Sequence, residues 1–166
     1  MVGSTALGPT LGTLLRTLVE TLDGAVEEAY SRSGLDYRPR FTPVVRALTD
    51  LGPASIRTIS QHAGITHSAV SQTVAEMAKR GLVGLRPGGD ARERIVALTP
   101  EAQALLPALE RRWAATNLAA HNFESELSAP LSKLLQEAIE ALGRQPFGER
   151  IAVAEAQMER SHDGKV

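Results

Sequence analysis

The sequence predicts a mainly α-helical fold with a small β-wing, in which a winged helix-turn-helix is joined to a helical region. Two features carry that expectation. Within residues 55–99, two short helical patterns meet at Gly64. A strand, a Gly-rich turn carrying Asp90-Ala91-Arg92 and a returning strand follow. Outside this stretch, leucines recur at helical spacing over segments longer than a small winged core needs. The order helix, turn, helix, hairpin is one that presents its second helix to a DNA major groove, with the hairpin at its flank.

Composition agrees with packed helices. The chain has 166 residues, enough for one compact domain or two small interlocked ones. It is 43% hydrophobic but only 4% aromatic, so its apolar content is mostly Ala, Leu and Val. The absence of Cys excludes disulfides, thiolate metal sites and cysteine-based redox sensing. No apolar run approaches the ~18 residues of a membrane span, and no basic-then-apolar signal segment opens the sequence, so a cytoplasmic location is expected. The net charge of −1 looks wrong for a DNA binder until it is divided along the chain. Residues 57–94 hold Arg57, Lys79, Arg80, Arg86, Arg92 and Arg94 against Glu76, Asp90 and Glu93, a local balance of +3 that leaves −4 for the remainder. Phosphate neutralisation is local, so a basic face suffices.

From Thr10, the series Leu11, Leu14, Leu15, Leu18, Leu22, Val26 and Ala29 predicts a long amphipathic helix ended by Ser33-Gly34. A second helix is expected from about Phe41 to Leu51, where Gly52-Pro53 breaks the chain. Ser55 is a suitable N-cap for a short helix through about Ala63; its hydroxyl can satisfy a free first-turn N–H. Gly64 allows a tight turn, Ile65 plugs it, and Thr66 caps the next helix, expected to reach about Arg80. There Val70, Thr73, Val74 and Met77 share one face, while Ser68, Ser71, Gln72, Ala75 and Lys79 share the opposite one. Gly81 suits the residue after the helix, Leu82-Val83 starts a strand, Pro87 to Asp90 is a turn, and Ile95 to Leu98 returns. Thr99-Pro100-Glu101 starts a helix expected to run to about Asn122, and Pro107 inside it removes one backbone hydrogen bond and marks a candidate hinge. A last strong helix is expected from about Pro130 to Leu142. The tail from Phe147 has weaker periodicity.

At this level of detail the chain resembles the MarR family of bacterial transcriptional regulators. The resemblance rests on Ser68-Ala69-Val70-Ser71, on Arg80-Gly81-Leu82-Val83, on Asp90-Ala91-Arg92 as a wing signature, and on Val96 to Glu101 running into the following helix. It covers roughly Phe41 to Leu106. The resemblance implies a homodimer whose first and last helices interlock, with residues 10–40 and 107–160 as the dimerisation region and 41–106 as the DNA-binding domain. Leu11, Leu14, Leu15, Leu18, Leu131, Leu134, Leu135 and Leu142 would then line the dimer seam, although the same stripes could pack within one chain. It also implies a small aromatic or phenolic ligand near the junction of the two regions, where Tyr30, Tyr37, Phe41, His62 and Trp113 fall; each such residue is more often core or interface than ligand contact. No cofactor or metal is implied.

For DNA, the small polar residues Thr66, His67, Ser68, Ser71 and Gln72 open the reading helix. Gln72 can pair bidentately with an adenine edge, and Ser68 and Ser71 can bond phosphates or bases. Many members of the resembled family carry Arg where Gln72 stands, which shifts the expected base away from guanine. His67 has three readings open to it: a DNA contact, a pH-sensitive contact near its pKa of ~6.5, or a plain solvated side chain. Arg92 resembles the arginine that the family inserts in the minor groove, with Asp90 orienting it. Arg86 and Arg94 are expected to contact phosphates. The expected activity is repression at a pseudo-palindromic operator. The alternative is a winged-helix dimer that has lost DNA reading and binds a protein partner or sequesters a ligand. Enzymatic readings are poor: His67 and Ser71 lack an orienting acid, His121 and Glu124 are a helical surface pair, and Gly88-Gly89 is too short to cradle a phosphate.

Overall fold

Four helices begin where a hydroxyl accepts a first-turn N–H. In the computed structural model, which describes residues 8–89 and 94–163, Thr10 accepts from Thr13, Ser55 from Thr58, Thr66 from Ala69 and Thr99 from Ala102, each at 3.2 Å. These caps open α1 (Leu11–Arg32), α3 (Ile56–Ala63), α4 (His67–Lys79) and α5 (Pro100–Ser125) at the positions their sequences mark. Between α1 and α3 lie a 3-10 turn at Pro39–Phe41, α2 (Thr42–Leu51) and the short strand β1 (Ala54–Ser55). Strands β2 (Val83–Pro87) and β3 (Arg94–Leu98) form the hairpin, and α6 (Leu131–Arg144) and α7 (Phe147–Asp163) complete the order.

Two elements go beyond the sequence expectation. β1 pairs antiparallel with β3, Ala54 opposite Val96 and Ser55 opposite Ile95, giving a sheet of order β1-β3-β2. A strand this short has no periodicity to read, and only the long-range pairing defines it. The weakly periodic tail is the helix α7, which carries mostly exposed side chains among those described. A helix without a buried stripe leaves a poor 3.6-residue signal.

The described chain divides into two compact units, one ending at Trp113 and one starting at Ala114. The core of the first unit joins α2 (Val44, Val45, Ala47, Leu48), α3 (Ile59), α4 (Val70, Val74, Met77), β3 (Val96) and α5 (Ala102, Leu109, Trp113). Val96 is fully buried because β3 is the central strand, with its even side facing the helices. An aromatic ladder ties the end of α1 to this core: Tyr30 and Tyr37 meet edge to face at 5.0 Å, and Tyr37 and Phe41 at 5.6 Å. Tyr37 spends its hydroxyl on Thr42, and burial holds its phenol above the ordinary range.

The second unit is organised by polar caps. The Glu124 carboxylate accepts from the N–H and hydroxyl of Ser132 at 2.5 and 3.1 Å, supplying the N-terminal cap of α6 that Pro130 lacks. At the other end, Arg150 donates to the carbonyls of Ala141 and Gln145 at 3.0 and 3.1 Å.

Phe41 is fully buried at the end of the aromatic ladder. Phe41→Ala is expected to cost about 4 kcal/mol in urea denaturation, and a loss under about 1 kcal/mol would mean that the ladder is not part of the cooperative core.

Candidate nucleic-acid interface

The turn between α3 and α4 is fixed by backbone and side-chain constraints together. Gly64 ends α3 in the left-handed region at φ 66° and ψ 24°, a conformation that costs a side-chain-bearing residue about 1 kcal/mol or more. The Ser60 hydroxyl donates to the Ile65 carbonyl at 2.6 Å, locking the turn from behind. Ser60 was not singled out by sequence, since a lone Ser inside a helix carries no distinguishing signal. Thr66 then takes an extended conformation and caps α4.

One face of α4 is sealed by Val70, Thr73, Val74 and Met77. His67, Ser68 and Gln72 are exposed and Ser71 is half-buried, so these four side chains surround the N-terminal turn on the uncovered side. Ala75 and Lys79 continue that face toward the C-terminus. The uncapped N–H groups and the positive end of the helix dipole suit this turn to a phosphate or a base acceptor. The Thr66 oxygen is already engaged by Ala69, which leaves its hydroxyl proton as the group able to reach a ligand.

The hairpin register separates two basic groups. Val83 lies opposite Leu98, Leu85 opposite Val96, Arg86 opposite Ile95 and Pro87 opposite Arg94. Facing residues share a side of the sheet and neighbours alternate, so Arg86 and Arg94 leave opposite faces of the hairpin. Both are exposed. Asp90 and Arg92 lie outside the described residues.

Three of the five candidate ligand residues are core. Tyr30, Tyr37 and Phe41 are core, with none more than 3% exposed. His62 donates to Asp50 at 3.0 Å, bridging α3 to α2. Trp113 is buried with Arg46 stacked 4.9 Å from its ring centre, and its indole N–H has no partner among the described residues. A cavity of about 310 Å³ opens instead between Ser33 and Leu35 after α1 and Ala108, Arg111 and Arg112 of α5. Sequence reading missed these residues because an arginine pair on a helix reads as a solvated face.

The leucine stripes are uncovered within the chain. Leu11, Leu14, Leu15 and Leu22 of α1 are exposed and Leu18 is half-buried. In α6, Leu134, Leu135, Ile139 and Leu142 are exposed and Leu131 is half-buried. Among the described residues no group of three or more His, Cys, Asp or Glu could hold a metal ion, and no helix is long and apolar enough to cross a membrane.

Comparison with known proteins converges on one family. The sequence profile of the MarR family matches residues 42–93, which span α2 through the wing. A MarR-family transcriptional regulator from Rhodococcus sp. RHA1 is 25% identical, covering 84% of this chain and 94% of its own, at a TM-score of 0.53. MosR of M. tuberculosis, solved in complex with DNA, is 18% identical over 82% of this chain and 95% of its own, at 0.61. BpsR of Bordetella bronchiseptica, whose DNA binding is regulated by 6-hydroxynicotinic acid, is 18% identical over 96% and 98%, at 0.55. No curated protein sequence matches the chain.

Since Thr66 caps α4, Thr66→Ala is expected to lower stability by about 1 kcal/mol, read from the urea midpoint. Thr66→Ser should recover most of the loss. An alanine variant as stable as the parent would free Thr66 from the cap.

Proposed function

We propose that the chain is a transcription regulator of the MarR type rather than an enzyme, and that it acts as a repressor. In this reading a homodimer binds a pseudo-palindromic operator with half-site centres about one DNA turn apart, ~10 bp. The observation that carries the proposal is the split surface of α4: one face is sealed by core, while a polar N-terminal turn stands open on the other. Ser68, Ser71 and Gln72 read base edges or phosphates there, Gln72 favouring adenine, and Thr66 and His67 approach the backbone.

Arg86 and Arg94, on opposite faces of the hairpin, suit a wing laid into a groove, where each meets the phosphates of one wall. Arg92 is the proposed minor-groove arginine, with Asp90 proposed to orient it. Residues 41–106 form the DNA-binding domain. Residues 10–40 and 107–160 form the dimerisation region, whose seam uses Leu11, Leu14, Leu15 and Leu18 with Leu131, Leu134, Leu135 and Leu142. Burying those exposed side chains supplies the driving force for association. A small aromatic or phenolic effector fits the cavity beside Arg111 and Arg112, whose guanidiniums suit a carboxylate or phenolate. Tyr30, Tyr37, Phe41, His62 and Trp113 remain the weaker candidates for ligand contact. The protein is placed in the cytoplasm, where its DNA is.

A gel-shift titration against DNA upstream of its own gene, with unrelated competitor present, tests the reading. A discrete complex lost in Arg92→Ala is expected. Arg86→Gln and Arg94→Gln should each weaken all duplexes alike and reduce the salt slope by about one. A folded dimer that binds no duplex at low salt overturns the proposal and points to a protein partner.

Dimerisation has its own check. Ile139 is 70% exposed in α6, so Ile139→Glu should leave the fold intact by circular dichroism. It should convert a dimer to a monomer in analytical ultracentrifugation. A parent protein that is already monomeric at micromolar concentration, or a variant that stays dimeric, would exclude this seam.

A further inference from the structure

Glu76 lies on the flank of α4, away from the polar turn proposed to read DNA, and both of its oxygens are engaged. Oε1 lies 3.1 Å from Arg38 and 3.6 Å from Arg80, while Oε2 pairs with Arg40. The cluster reaches further through its arginines. Arg38 also lies 3.8 Å from Glu27 of α1, and Arg80 donates to Asp36 at 2.6 Å while stacking 5.5 Å from the Phe41 ring centre. One carboxylate on α4 is therefore bound to the segment between α1 and α2, and through Arg38 to α1 itself.

We propose that Glu76 is a positioning residue: its grip on Arg38, Arg40 and Arg80 sets the tilt of α4 and so the register of its N-terminal turn on DNA. The inference rests on the DNA-reading proposal above and adds a residue that makes no DNA contact. Its physical basis is the difference between two kinds of contact. The apolar face of α4 is held by burial, which is strong but non-directional. Ion pairs to Arg38 and Arg40 instead pull Glu76 toward one segment of the chain, and Glu76 is only 22% exposed, so solvent screens them incompletely.

Leverage makes the direction matter. Glu76 stands ten residues after Thr66, which at 1.5 Å per residue is a lever of about 15 Å. A tilt of about 4° at the cluster moves the N-terminal turn by about 1 Å along that lever. Hydrogen bonds to base edges tolerate about half that displacement. The pairs reach solvent through Arg38 and Arg40, 41% and 53% exposed, so losing Glu76 should cost only modest stability while disturbing recognition.

Electrostatics alone predicts the opposite sign. Glu76→Gln removes a negative charge from the DNA-binding unit and should tighten binding to any duplex. The test therefore measures dissociation constants at one salt concentration for two duplexes. One is the tightest binder that the parent protein selects from a random-sequence library, and the other is a scrambled control. The full-length parent, Glu76→Gln, Arg40→Gln and the double variant are compared.

Each single variant is expected to lower the ratio of selected to scrambled affinity about tenfold, and the double variant to lower it no further, the signature of one shared interaction. The thermal midpoint should stay within a few degrees of the parent. A merely structural role would shift both duplexes by the same factor, as loss of folded protein does, and would overturn the inference. So would an unchanged ratio or additive losses. Should Glu76→Gln fail to fold, Arg40→Gln decides alone, because that side chain is 53% exposed. A parent with no preference among duplexes fails earlier: it overturns the DNA-reading proposal and this inference with it.

Discussion

The rest of this structure depends on the burial of one face of α4. Val70, Val74 and Met77 are almost completely removed from solvent, and Thr73 is 8% exposed. At about 1.5–3 kcal/mol for each large apolar side chain, this single face contributes on the order of 6 kcal/mol, comparable to the whole net stability of a small domain. The seat is built from α3, α2, the strand β2 and the 3-10 turn, and each of these is itself held by the same core. A helix anchored so firmly on one side can leave its other side entirely polar without losing its place. The polar turn at Thr66 to Gln72 is the counterpart of that anchoring, since beyond the Thr66 cap the burial that holds α4 lies on the far face.

Legibility in the sequence followed the range of the interactions involved. The starts of α1, α3, α4 and α5 were readable because a cap is a contact between residues three apart, and Thr10, Ser55, Thr66 and Thr99 each make it. The buried face of α4 was readable because burial imposes a helical period on it. β1 was not, because its partner Val96 is far along the chain and two residues show no alternation. The extent of α7 was missed for the opposite reason: a helix that buries little need not be amphipathic. At the candidate site, the polar turn was visible as composition, but the opposite facing of Arg86 and Arg94 needed the strand register. Glu76, counted only as a charge against its basic neighbours, gained a role once the fold brought Arg38 and Arg40 to it.

The segment between α1 and α2 links these observations. Its aromatic side chains, Tyr37 and Phe41, are buried in the core, Tyr37 meeting Tyr30 and Phe41 meeting Tyr37 edge to face. Its charged side chains, Asp36, Arg38 and Arg40, reach α4 and α1. An irregular segment normally adapts to its surroundings, but this one is fixed on both sides, by edge-to-face packing beneath and by ion pairs above. Arg80 joins the two layers, since its guanidinium sits over the Phe41 ring and also binds Asp36. Movement of this segment would therefore have to break apolar and charged contacts together.

That arrangement bears on how an effector signal would travel in the proposed regulator. The cavity by Arg111 and Arg112 is walled on one side by Ser33 and Leu35, the residues that leave α1 for the same segment. A ligand seated there would press on the start of a stretch whose far end is tied to α4 through Arg38 and Arg40. Coupling of this kind requires an element with two arrangements that the ligand and DNA favour differently. The apolar seat of α4 is a poor candidate, because shifting it costs a large share of the domain's stability. The ion-pair cluster is a better one: its Arg38 and Arg40 ends are exposed and can exchange a pair for water at lower cost than the core can open. In such a design the core holds α4 in the domain, and the charged flank sets the angle at which it faces DNA.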